Sequence, residues 1–160
     1  MPRVRAITIG LLAFGACDVS AQALSPRDLT AIEAVAAEHV ARSLPAGSIG
    51  FDPGSVAANL PVSRDSARAT AIARGLGARI VRTDSVFRCQ GWPDTCRLDV
   101  EALVRIGEPV THEAGAMVLV EVRQRSGYAR QPVVHGTQEL ILSKRRGRWI
   151  VVGVGRRSVS

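Results

Sequence analysis

Hydrophobic positions along this chain follow two different spacings, and the change between them falls a little past the middle. Leu29, Ile32, Ala36, Val40 and Leu44 recur every three or four residues, the spacing of one buried stripe on a helix. Ser25-Pro26-Arg27-Asp28 in front of them reads as a helix start. Ser25 can cap, Pro26 suits the first turn, and Asp28 lies at the positive end of the helix dipole. Pro45 and Gly47 stop the helix. Residues 45–62 carry Pro45, Gly47, Gly50, Pro53, Gly54 and Pro61 without periodicity and read as a long loop. A shorter helix is expected from Ser63, with Asp65 and Ser66 as alternative caps, ending at Gly75 or Gly77. Ala67, Ala71 and Ile72 suit a lightly buried face of it, with Arg64 and Arg68 one turn apart on the other. Ala78 to Thr83 is a candidate first strand.

From Val86 onward the period is two. Val100, Ala102, Val104 and Ile106 alternate with Asp99, Glu101, Leu103 and Arg105. Val118, Val120 and Val122 do so with Leu119, Glu121 and Arg123, and Leu140 and Leu142 with Glu139, Ile141 and Ser143. Such alternation marks antiparallel strands with one wet face. Arg146-Gly147 turns the chain into Trp149–Val154, a closing hairpin in which Gly153 can mark a bulge. Helices followed by a meander of strands predict an α+β fold. It comprises a long N-terminal helix plus a short second helix, packed on a curved antiparallel sheet of four to five strands. The expected core is Leu29, Ile32, Ala36, Val40, Val100, Val104, Val118, Val120, Leu140, Leu142, Ile150 and Val152.

The helix at Leu29 to Leu44, the strands from Leu98, and the hairpin Leu140-Ile141-Leu142…Gly147-Arg148-Trp149-Ile150-Val151 together resemble the nuclear transport factor 2-like (cystatin-like) superfamily. The resemblance covers about two-thirds of the chain that follows the leader. It implies a cone-shaped pocket between helix and sheet. The Cys89–Cys96 loop and the Pro/Gly-rich stretch at 45–62 depart from that pattern.

The first residues change the picture of where the chain works. Arg3 and Arg5 precede the short apolar run Ala6 to Ala16, and Ala21-Gln22-Ala23 has the small-x-small form of a signal-peptidase site. Residues 1–23 therefore read as a signal peptide and 24–160 as one domain, exported to the periplasm or the exterior, with no transmembrane segment after cleavage. The alternative is lipoprotein processing at Cys17, after Gly15-Ala16. In an oxidising compartment Cys89 and Cys96 read as a structural disulfide, because Gly91 and Pro93-Asp94 can fold the chain back between them.

Charge narrows the chemistry only a little. The full chain has 21 basic and 14 acidic residues; the leader removes Arg3, Arg5 and Asp18, leaving 19 and 13, a net of +6. Every basic residue except Lys144 is Arg, which binds phosphate and carboxylate in bidentate fashion. Arg145, Arg146 and Arg148 at the hairpin tip are the candidate anion-binding group. No stacking aromatics interleave them apart from Trp149, which argues against nucleic acid. His39 and Tyr128 are candidate pocket residues; Glu38, next to His39, points about 100° away on a helix. His112-Glu113 and Glu108 fall in a loop without an established metal-ligand spacing, and His135 heads a strand. Glu101, Arg105, Glu121, Arg123 and Glu139 read as solvated cross-strand ion pairs. No catalytic motif, cofactor fingerprint or metal set occurs. The leading expectation is an exported, non-catalytic binding or accessory domain. Its rivals are a small-molecule enzyme or ligand carrier using the helix–sheet pocket, and a basic module that binds anionic envelope surfaces.

Overall fold

The computed structural model describes residues 23–54, 64–90, 96–113, 115–128 and 131–160. The leader through residue 22, including Cys17, lies outside them, as do Ser63 and most of the second half of the 45–62 loop. The fold is α+β with a mixed sheet.

Helix α1 spans Pro26–Ala41. Ser25 caps it by accepting from the Asp28 N–H at 3.1 Å, and Ile32, Ala36, Ala37 and Val40 along it are fully buried. Helix α2, Ser66–Leu76, starts at Asp65, whose carboxylate accepts from the Arg68 N–H at 2.7 Å. It stops at Gly77, which takes the left-handed conformation (φ 63°) that costs glycine no Cβ clash. Ile72, Ala73 and Leu76 join α2 to the α1 core.

The sheet corrects the sequence expectation of four or five antiparallel strands. Among the described residues seven strands belong to it, in the order β2 (Arg79–Ile80), β1 (Ile49–Phe51), β5 (Ala102–Ile106), β7 (Gly115–Tyr128), β8 (Gln131–Arg145), β9 (Arg148–Val159), with β6 (Val110–His112) also paired to β7. β1 runs parallel to both β2 and β5, whereas the pairs from β5 to β9 are antiparallel. So the expected loop at 45–62 contains a central strand. Its three residues are too few to show a period, and Gly50 and Phe51 are both buried, so no polar residue alternates with them. β1, α2 and β2 form a parallel crossover unit. The expected strand at Ala78 to Thr83 shrinks to Arg79–Ile80, after which Thr83–Val86 turns as a short helix, α3.

One face of the sheet carries α1 and the main core, including Val104, Ile106, Val118, Val120, Leu140 and Leu142. On β9 the inward residues are Trp149, Val151 and Val154, not Ile150 and Val152, which are 38% and 45% exposed. The register slips between Val151 and Gly153, so the simple alternation read from Ile150 fails there. The closing turn has positive φ at Arg146 and Gly147, the backbone a two-residue hairpin requires.

Among the described residues the opposite face is half covered. The hairpin of β3 (Phe87–Cys89) and β4 (Cys96–Leu98) lies over it and makes a second, smaller core from Val86, Leu98, Val100 and Leu103, with Phe87 and Val133 against it. Cys89 and Cys96 are opposite one another in this hairpin and form a disulfide. Because the closed ring is short, its contribution is expected to be about 2–3 kcal/mol. Thiol labelling of non-reduced protein should find neither cysteine free, and Cys89→Ser/Cys96→Ser should lower the unfolding free energy by that amount. Two reactive thiols in the native protein would remove the staple.

Candidate functional site

Beyond the C-terminal end of α1 the inner sheet face is no longer covered by helix. There β7, β8 and β9 continue past it, and an open cavity of about 340 Å³ lies between Ser43 and Leu44 on one side and the sheet on the other. Val122, Val134 and Val159 supply apolar wall, while Gln124, Gln138 and Arg157 supply donors and acceptors. Gln124 and Val122 point inward for the same reason as Val118 and Val120: they share the even-numbered face of β7. Arg157 pairs with Gln138 in the β8–β9 ladder and has no acidic partner among the described residues. The cavity therefore offers one guanidinium and two amides against a hydrocarbon surface. That set suits a small amphipathic anion.

His39 sits near this site without completing a catalytic pair. Its Nδ1 lies 3.2 Å from the Arg42 guanidinium, and its polar surroundings are cationic. Partial burial, with Arg42 and Arg157 adding repulsion, holds the imidazole pKa below its ordinary value. The unfolded chain takes up a proton at about pH 6.5 while the folded chain resists it, so His39 costs stability as pH falls through that value. Urea midpoints measured between about pH 7 and 5 should fall less in His39→Asn than in the parent, and equal slopes would place the imidazole in bulk solvent. No Asp or Glu lies within hydrogen-bond reach of His39 among the described residues. The side chain of Tyr128, the other candidate, lies outside the described part at the end of β7.

On the outer face the structure gathers a cluster that alternation alone read as solvated. Glu121 is 4% exposed, not solvated. Arg105 reaches it at 3.2 Å, Arg123 at 2.8 Å and His135 Nε2 at 3.3 Å. Arg123 also lies over the Phe87 ring, 4.5 Å from its centre, which closes one side of the cluster. His135 is in mid-strand rather than at its head, opposite Arg123, and its Nδ1 is 3.5 Å from the Ser160 hydroxyl. The order Ser160–His135–Glu121 has the look of a hydrolase relay. Two guanidinium groups already share the Glu121 carboxylate, which weakens its hold on an imidazolium. The cluster is best understood as a polar patch on the outer face beside the second core. Glu101 behaves as expected, pairing with Arg125 at 2.9 Å, and Glu139 accepts the Arg156 N–H at 3.1 Å.

Two further carboxylates are structural. Burial would raise the pKa of Asp52, but hydrogen bonds from the Thr83 hydroxyl and from the Gly54 and Thr83 N–H groups outweigh it, and Arg105 adds to them. The net effect is a lowered pKa and a fixed junction between β1 and α3. Asp28 ties the start of α1 to the closing hairpin through Lys144 Nζ and Trp149 Nε1, each at 2.8 Å, and these bonds with that of Ser25 hold its carboxyl well below the usual range.

Arg145, Arg146 and Arg148 are exposed together at the β8–β9 tip, away from the cavity-lining residues. His112 ends the short strand β6 instead of lying in a loop, and Glu113 turns the chain there with φ 47°. No group of three or more His, Cys, Asp or Glu residues able to hold a metal occurs among the described residues, and no described helix is long and apolar enough to cross a membrane. None of the protein-family models, curated proteins or solved structures compared with the chain matches it.

Proposed function

We propose that this chain is an exported, non-catalytic binding domain that takes a small amphipathic anion in the cavity beyond α1. The observation that carries the reading is Arg157 without an acidic partner beside Gln124 and Gln138, over a wall of Val122, Val134 and Leu44. A guanidinium facing an apolar cavity recognises a carboxylate or phosphate, and the valines accept a short alkyl chain. Catalysis is not favoured, because Arg42 and Arg157 are the charged groups that act on His39 and the described lining of the cavity holds no acid–base pair. The nuclear transport factor 2-like resemblance implies a cone-shaped pocket between helix and sheet, and this cavity lies instead just past the end of α1.

The disulfide supports passage into an oxidising compartment, with residues 1–23 as the removable leader. Octanoate and octyl phosphate are suitable probes of the cavity, read by titration calorimetry and thermal shift. At least one should bind and raise the melting temperature, and Arg157→Gln should weaken it about tenfold or more, the worth of a charge-assisted hydrogen bond. Absence of binding by both probes, or binding indifferent to Arg157, would overturn the proposal.

A further inference from the structure

The half of the outer sheet face that the β3–β4 hairpin leaves bare is four strands wide, from β6 through β7 and β8 to β9. Val110 lies opposite Met117 on it, Met117 opposite Ile141, and Leu119 opposite Glu139. Val110 is 49% exposed and Ile150 38%, while Met117, Leu119 and Ile141 are half-buried and belong to neither core. A cavity of about 410 Å³ opens on the same face beside Leu119, Glu139 and Arg156. Such a face on one side of a sheet is a docking surface in need of a partner.

The charges at its two sides say which partner. The β6 side is acidic, with exposed Glu108 just before the strand and Glu113 at the turn after it. The β9 side is basic, with exposed Arg148 at the hairpin tip and Arg156 further along. None of these four side chains has an ion-pair partner among the described residues. Glu113 and Arg148 lie at the same end of the sheet, because the β6–β7 turn and the β8–β9 turn both close there. Glu108 and Arg156 lie nearer its middle, on either side of Leu119 and Glu139.

We infer that a second copy of this chain covers the bare face, packed about a two-fold axis that runs along the strands. That operation keeps each end of the sheet over the same end of its mate and exchanges the two sides. It sets Glu113 of each copy against Arg148 of the other, and Glu108 against Arg156, around a centre of Met117, Leu119 and Ile141. All four rim charges then face opposite charges, which favours an isologous contact. An anionic lipid or polysaccharide surface fits worse, since it would press against the acidic side as well as the basic one.

The test is the mass of the purified protein by sedimentation equilibrium over a range of concentrations at low salt. A mass of twice the chain is expected, falling toward one chain as salt is raised. Ile141→Glu should give a monomer with unchanged far-ultraviolet circular dichroism. Should that variant misfold, the exposed charges still decide the matter. Each rim contact occurs twice in the dimer, so Arg148→Glu and Glu113→Arg should each weaken association about tenfold, and the two together should restore it. A monomer at every concentration, a monomer that instead co-sediments with vesicles of phosphatidylglycerol, or a dimer indifferent to the charge reversals and their combination would each overturn the inference.

Discussion

Replacing Glu33 with alanine should lower the unfolding free energy by about 3–5 kcal/mol, measured by urea denaturation followed by tryptophan fluorescence. Glu33 lies within α1 and is fully buried, and its carboxylate accepts from Arg64 Nε at 2.8 Å and from Arg68 at 2.9 and 3.1 Å. The two arginines differ in what they can do after the carboxylate is gone. Arg68 is 15% exposed and can swing into water, whereas Arg64 is 1% exposed. Carbonyls of Pro53, Ile106 and Gly107 also hold the Arg64 guanidinium in place. A buried cation would then keep its neutral acceptors and lose its counter-ion, which is the expensive half of a broken buried pair. Glu33→Leu combined with Arg64→Met should recover much of the loss, because it removes both charges and keeps the volume. A cost near zero for Glu33→Ala would mean that water reaches Arg64.

Phe51→Ala should cost a comparable amount, about 3–5 kcal/mol, from lost transfer energy plus the cavity left behind. Phe51 is fully buried in β1, with strand neighbours on both sides, and packs in the main core under α1 and α2. Its backbone carbonyl also receives the Val81 N–H at 2.9 Å. Val152→Ala makes the contrast, since Val152 is 45% exposed at the bulge and should stay within about 0.5 kcal/mol of the parent. Equal losses in the two variants would show that β1 is not part of the core.

These two residues also mark where sequence reading reaches its limit. Long, regular patterns were legible: the alternation along β7 and β8 identified Val118, Val120, Leu140 and Leu142 as core, and all four are at most 1% exposed. The Cys89–Cys96 pairing was legible as local chemistry, whereas the helix start read at Ser63 moves to the alternative cap Asp65, and of the two stops offered, Gly75 and Gly77, the structure uses Gly77. β1 was not, since three residues between glycines and prolines carry no period. Glu33 and Arg64 were not, since their meeting spans 31 positions and depends on how α1 packs against the end of β5. Glu121 failed differently. Its outward direction was read correctly, but the β3–β4 hairpin and three basic side chains cover that stretch of the outer face. As for the cavity, Gln124, Gln138 and Arg157 are scattered over three strands, and only their shared face and the length of α1 bring them together. Period two could have placed them on one side. It could not show that the helix ends short of them.

The bond from Trp149 to Asp28 joins positions 121 apart, and β1 finds its parallel neighbour β5 about fifty positions on, by register of Ile49 with Ala102. Contacts of such long range must wait for loop closure, so the chain is expected to fold slowly for its size. α1 emerges first from any N-to-C synthesis or translocation, yet the strand that seats its first turn, β9, emerges last. Until then only α2 and the earlier strands can cover its apolar stripe, and its first turn has no anchor. A chain built this way is expected to complete its core only when its last strand has been made.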